Sequence, residues 1–358
     1  MATLQVEYSE HELLASHDYA EPLVAGGMRC HGGFADDGEY VSPRTKHRVP
    51  AIAAWQEQHA AQFGTPLVDY PLDEWPAQYP NLAQARYLVE AGVREPIIAT
   101  LTRIGTVEGF GGMIRYSQFP DLRSCFHDDI AGTAMTHLQR GLYEAHARDE
   151  SGHEDEGGHN VMWFAARDIA FENPVTQDET ARMLERMGIS SPGGGVNLAA
   201  MRAVALANRL WPDDVDFDLE MTVERMTRLL LIEISAFHTF AWAEQLLSDT
   251  DLVAGEGEAA RLVSYIRRDE TPHVEYLKTV LSEMRDRTFV GSSGRRYPGT
   301  DLIGRTWDRA VAESLGPRRT EMLRITRNEI VHAVDSRPNG NDILTRFDEL
   351  GPIEAVAA

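Results

Sequence analysis

The chain has 358 residues, with 34 Lys and Arg against 56 Asp and Glu, a formal net charge of −22 and a pI near 5.0. An apolar share of 43% is enough for a sizeable core, while the acidity argues against non-specific binding to nucleic acid or to an anionic membrane, both of which select basic surfaces. Two cysteines, Cys30 and Cys125, are too few for a disulfide framework or a four-cysteine metal site.

The first residues have neither a basic n-region nor an apolar h-region, so no secretory signal is expected. The longest apolar helical stretch, around Leu229 to Trp242, is too short for a bilayer. The expectation is a cytoplasmic chain with no nucleic-acid and no membrane partner.

Residues 1–80 read as an irregular N-terminal extension. They hold Gly26-Gly27, Gly32-Gly33 and an Asp37-Gly38 turn signal, with one helix near 50–63. From about 82 the helical period dominates, and predicts helices at 82–118 (broken near Pro96 or Gly105), 127–171, 176–188, 195–209, 216–248 and 257–287. Pro120, Asn173-Pro174, Ser191-Pro192 with three following glycines, and the polar stretch from Asp249 to Glu256 mark the breaks. A Gly291–Gly299 loop reads as a plain connection, before helices near 302–315 and 318–336. The reading is all-α and a single compact domain overall: the extension, a helical bundle over 81–290, and a C-terminal loop and helical cap over 291–358.

Glu precedes His by three residues at Glu150/His153, Glu156/His159, Glu270/His273 and Glu329/His332. Two of these pairs match further: Arg148-Asp149-Glu150-Ser151-Gly152-His153 and Arg268-Asp269-Glu270-Thr271-Pro272-His273. On a helix, residues i and i+3 share a face, so carboxylate and imidazole reach one ion. Two such helices, plus a Glu from each of two more, surround a pair of ions in a four-helix bundle. The preceding Asp149 and Asp269 stand where a carboxylate accepts the ring N–H of a ligand histidine.

Glu233 lies in an apolar run from Leu229 to Phe237, where an unpaired charge costs several kcal/mol. It stands as far before the 249–256 linker as Glu270 stands after it, so an antiparallel helix pair brings them level. Glu108, among small and apolar residues, is the preferred fourth carboxylate, its small neighbours leaving room for oxygen or substrate. Glu95 is the alternative, although Arg94 and Pro96 beside it suit an ion pair or a helix start. His146, one turn before Glu150, is an additional candidate ligand. Glu156/His159 is rotated away from Glu150/His153 and reads as structural, with Gly157-Gly158 a candidate kink; Glu329/His332 reads as a solvated face.

Between residues 95 and 285 the order Glu, Asp-Glu-x-x-His, Glu, Asp-Glu-x-x-His resembles the ferritin-like di-iron carboxylate superfamily. That group includes bacterial multicomponent monooxygenases, ribonucleotide reductase small subunits, arylamine N-oxygenases and rubrerythrins. The resemblance implies a ferritin-like four-helix bundle with Glu108, Glu150 and His153 mainly on one iron. Glu233, Glu270 and His273 would serve the other, some of the glutamates bridging. Asp149 and Asp269 would then hold His273 and His153, respectively. The sequence departs from individual families: Phe237 stands where hydrocarbon monooxygenases carry Thr, and Ile266 where arylamine N-oxygenases carry an extra His. No family below the superfamily is assigned.

By this resemblance the chain is a non-haem di-iron oxygenase or oxidase, with O2 as co-substrate. It would hydroxylate, N-oxygenate or desaturate a small organic substrate. Carboxylate and imidazole donors also accept manganese in one position. With no glycine-rich dinucleotide fingerprint and too few cysteines for an iron–sulfur cluster, electrons are expected from a separate reductase or ferredoxin, or from the substrate. Homodimerisation is among the expectations. The alternatives are a ferroxidase or iron-handling protein, and a non-catalytic metal-stabilised helical binding protein. The extra length at both ends favours an enclosed pocket and hence the oxygenase.

Overall fold

The computed structural model describes residues 5–351 apart from 177, 179 and 183–197. Its described part is mostly helical. One turn of helix, α1 (Glu10–Leu14), is closed by a capping box in which Ser9 and Glu12 exchange hydrogen bonds. A small antiparallel sheet follows: β1 (Glu21–Ala25), β2 (Met28–Phe34) and β3 (Tyr40–Val41), in that order. The N-terminal segment is therefore not irregular as its sequence suggests. The turn signals mark real turns, but β2 buries four residues in succession, Cys30 to Gly33, and so shows no period-two alternation.

Helices α2 (Thr45–Phe63), α3 (Leu82–Glu90) and α4 (Glu95–Gly111) come next. The break expected near Pro96 or Gly105 falls at residues 91–94, and Pro96 sits in the first turn of α4, where its missing N–H costs nothing. The expected helix at 127–171 is instead two helices, α5 (Tyr143–Ser151) and α6 (His159–Ala170), with a π turn at Leu138–Leu142 leading into the first. The helix expected at 176–188 and the Ser191-Pro192 loop lie largely outside the described residues. Helix α7 (Leu198–Ala207) precedes the two longest helices, α8 (Phe217–Leu247) and α9 (Glu258–Arg285).

Part of the Gly291–Gly299 segment pairs as a hairpin between β4 (Thr288–Val290) and β5 (Arg296–Pro298). Helices α10 (Gly299–Glu313) and α11 (Arg319–Asp335) match the expected pair, and a further helix, α12 (Gly340–Glu349), was not expected. No helix among the described residues is long and apolar enough to cross a membrane.

The helices pack as a bundle: α8 on α9, α4 on α6, α6 on α9 and α4 on α5, with α2 laid against α9. Two apolar cores result. One gathers Leu88, Ile97, Trp163, Phe240, Ile266 and Ile330; the other gathers Trp55, Leu142, Leu230, Val274, Tyr276 and Phe289. Helix α9 gives Ile266 to the first and Val274 to the second, so Asp269, Glu270 and His273 lie between the cores. Each core resists water, and the polar residues trapped between them must satisfy one another or a bound group.

Candidate metal centre

Five helices converge on this layer. Helix α4 supplies Glu108, α5 supplies His146 and Glu150, α6 supplies His159, α8 supplies Glu233, and α9 supplies Glu270 and His273. Their donor atoms form two four-residue groups, each with its atoms within 4.8 Å of one another. The first is His146, Glu150, Glu233 and His273; the second is Glu108, Glu150, His159 and Glu270. Glu150 belongs to both. All seven are buried, Glu108 the most open at 8% exposure.

The two Asp-Glu-x-x-His motifs have different fates. In α9 the motif runs through a continuous helix, and Glu270 Oε2 lies 2.7 Å from His273 Nδ1. In α5 the helix stops at Ser151, because Gly152 takes φ +81°. His153 then falls in a tight turn to Glu156, and its side chain, 31% exposed, has the exposed Glu154 as its ion-pair partner among the described residues, at 3.6 Å. The place expected for His153 is filled by His159, the first residue of α6. Its Nδ1 lies 3.0 Å from Glu270, 3.3 Å from Glu150 and 3.4 Å from Glu108. His159 is thus part of the cluster, against the structural role its spacing suggests.

The turn is held from far away in sequence. Gly157 accepts from the His31 amide and donates to the Arg29 carbonyl, each at 2.9 Å, so β2 pins the 152–158 segment. Gly152 and Gly157-Gly158 were the local signal that the helix ends; its consequence for the ligand set depends on β2.

Of the two first-helix candidates, Glu108 joins the cluster. Glu95 lies at the surface, 63% exposed, 3.4 Å from Arg337. Of the small residues after Glu108, Gly111 is packed against a neighbour and leaves no free space. A side chain at Gly111 would meet Glu150 Cγ at 2.5 Å, so the glycine lets α4 approach α5 and seats Glu150 against it. His146 also joins, its Nε2 3.2 Å from Glu233 and 3.5 Å from Glu150. Glu329, read as solvated, pairs with Arg103 at 3.1 Å.

Each ring directs one nitrogen inward and the other onto a fixed partner. His273 Nε2 donates to Asp149 at 2.9 Å. His159 Nε2 lies 3.4 Å from Asp269, the aspartate expected beside His153. His146 Nδ1 lies 2.9 Å from the Tyr276 hydroxyl. A further layer holds these partners. Arg44 Nε donates to Asp149 at 2.8 Å and Arg48 at 2.7 Å, and the Tyr40 hydroxyl donates to Asp269 at 2.7 Å. Nothing in the local sequence of 1–80 flags Arg44, Arg48 or Tyr40; their roles come from tertiary contact alone.

The electrostatics are strained without a cation. Burial and then Glu150 push Glu108 well above the usual carboxylate range. Burial and then Glu270 push Glu233 up to about 7. Burial would discharge His159 and His273, but Glu270 beside them raises both well above the usual imidazole range. Burial and Glu150 would likewise raise Glu270, yet His159 and His273 hold it at about 2. The buried atoms without a properly aligned hydrogen bond include Glu108 Oε2, His146 Nε2, Glu150 Oε1, His159 Nδ1 and Glu270 Oε1. Thirteen other such atoms are scattered among the described residues, but these five lie together, and unaligned buried donors and acceptors gathered at one place suit a bound group.

A cavity of about 450 Å³ opens beside the cluster, with Glu108 in its wall. Helices α4 and α8 form its sides, the 75–79 segment and residues 314–326 complete it. Segments from outside the central helices thus contribute to the enclosure. Comparison with family models, with curated proteins and with solved structures finds no match to this chain.

Proposed function

We propose that the chain is a ferritin-like di-iron carboxylate protein that uses O2 to oxidise a small organic substrate, with electrons from an external donor. The observation that carries the reading is the pair of donor groups sharing Glu150, whose facing atoms lie within ion-pair distance of one another and in five cases lack a well-aligned hydrogen bond. His146, Glu150, Glu233 and His273 would hold one ion; Glu108, Glu150, His159 and Glu270 would hold the other. Oxygen and nitrogen donors of this kind suit iron or manganese, and the shared carboxylate suits a bridging position.

Charge supports the same count. Arg44 and Arg48 both pair with Asp149, and Asp269 is held by Tyr40 and His159; the cluster itself carries four glutamates, whose charge two divalent cations would match. When bound, a reduced iron pair supplies the two electrons that convert O2 into an oxidant, which no side chain in the cluster provides. The protein's own part is to fix three imidazoles through Asp149, Asp269 and Tyr276, to exclude bulk water with the two apolar cores, and to orient a substrate in the cavity against Glu108.

The cavity favours the oxygenase over iron handling, because a channel for ions does not require apolar walls such as Ile104, Leu231 and Phe240. Elemental analysis of protein produced with iron should give close to two equivalents per chain. The reduced protein should then consume O2 in a single turnover. Repeated oxidation of added Fe2+ with growing iron per chain would favour storage instead, and full iron loading without any O2 uptake would favour a structural role.

A further inference from the structure

The cavity beside Glu108 carries an uneven charge. Its lining holds the buried Glu108, the only acid among the lining residues, with the half-buried Arg103 and Arg319 and the exposed Arg318. In a chain with 56 acids to 34 bases, three arginines to one acid is a departure from the average surface. Two of the three are engaged: Arg103 takes Glu329 at 3.1 and 3.4 Å, and Arg319 donates to the Ala77 carbonyl at 3.3 Å. Arg318 is exposed and meets no carboxylate among the described residues. The rest of the lining is mainly apolar and partly aromatic, with Ile104, Leu231, Phe240 and Trp75 beside a few hydroxyl and amide side chains.

We infer that this cavity takes an amphiphilic carboxylic acid, its carboxylate on Arg318 and its apolar body running between α4 and α8 toward Glu108. A guanidinium presents two parallel N–H donors that match a carboxylate, and a single uncommitted arginine suits a monoanion. A volume of 450 Å³ accommodates on the order of fifteen non-hydrogen atoms. A ligand as compact as a phenylalkanoate therefore fits that volume. That the far end is the reacting end rests on the di-iron reading; recognition of the carboxylate does not.

The test is calorimetric titration of the purified full-length chain with 4-phenylbutanoate, 4-phenylbutan-1-ol and 4-phenylbutan-1-amine at mildly alkaline pH, with iron content measured in the same samples. The acid should bind roughly tenfold more tightly than the alcohol, and the amine most weakly. Arg318→Met should abolish the acid's advantage while leaving the alcohol's affinity unchanged, and Arg318→Lys should recover part of it. Ala236→Trp, on the cavity wall, should weaken both. Equal affinity for acid and alcohol, an advantage that survives Arg318→Met, indifference to Ala236→Trp, or no binding at all would each overturn the inference. Two irons per chain without carboxylate preference removes this inference and leaves the di-iron reading; discrimination through Arg318 in a chain that takes up no metal does the reverse.

Discussion

His273 illustrates how a buried imidazole is prepared to be a ligand. Its Nε2 is fixed on Asp149, and Asp149 is in turn held by Arg44 and Arg48. The ring cannot rotate without breaking a charge-assisted bond, and Nδ1 is left facing Glu270 and Glu150. Removing a ligand and removing its support should therefore differ in degree. His159→Ala and His273→Ala should each lower bound metal by about one equivalent, whereas His153→Ala should leave it unchanged, since the ion-pair partner of His153 among the described residues is the exposed Glu154. Metal analysis of the three variants checks this; loss of metal in His153→Ala alone would return the ligand role to that residue. Arg48→Met leaves Arg44 as the one arginine on Asp149, and should weaken metal affinity roughly tenfold to a hundredfold rather than abolish it, as read by competition with a chelator.

At the scale of elements, the long helices were the legible part. Helices α8 and α9 end within a residue or two of their predicted limits, because Asp249 to Glu256 is polar and glycine-containing and the flanking segments are strongly periodic. Glu233 was found by its apolar surroundings, and it does face Glu270 across the pair. The α5–α6 break was only half legible. Gly157-Gly158 reads as a candidate kink, and Gly152 carries the same signal, yet the Asp-Glu-x-x-His pattern favours an unbroken helix. What decides the matter is β2, whose pairing with Gly157 cannot be read from residues 148–159.

Gly111, after Glu108, was misread for a related reason: sequence shows that a side chain is missing, not what fills the gap. Gly111→Ala tests the packing. Its methyl group would sit 2.5 Å from Glu150 Cγ, so α4 and α5 must part or Glu150 must turn. Overpacking of this kind costs about 1–3 kcal/mol. The variant should lose metal while keeping its helical circular dichroism, and wild-type loading would show that the helices separate without disturbing Glu150.

For the whole molecule, the cluster couples metal, protons and stability. The metal-free fold keeps its buried glutamates by sharing protons with two imidazoles: His159 and His273 hold protons well above the usual imidazole range, and Glu108 and Glu233 are raised by burial and by carboxylate neighbours. A metal ion needs neutral imidazole and ionised carboxylate, so loading must expel those protons. The sign follows directly. Because the two histidines are raised above their ordinary value near 6.5, protons still compete with the metal at neutral pH, and apparent affinity should keep rising as pH increases from about 6 to about 8. Each proton displaced contributes roughly tenfold per pH unit. Chelator competition across that range should show at least this slope, with proton release into weak buffer on metal addition and a higher melting temperature for the loaded protein. A flat profile with no proton release would mean that the cations bind at the acidic surface, where carboxylates are already ionised, and that the buried cluster is held by its own ion pairs.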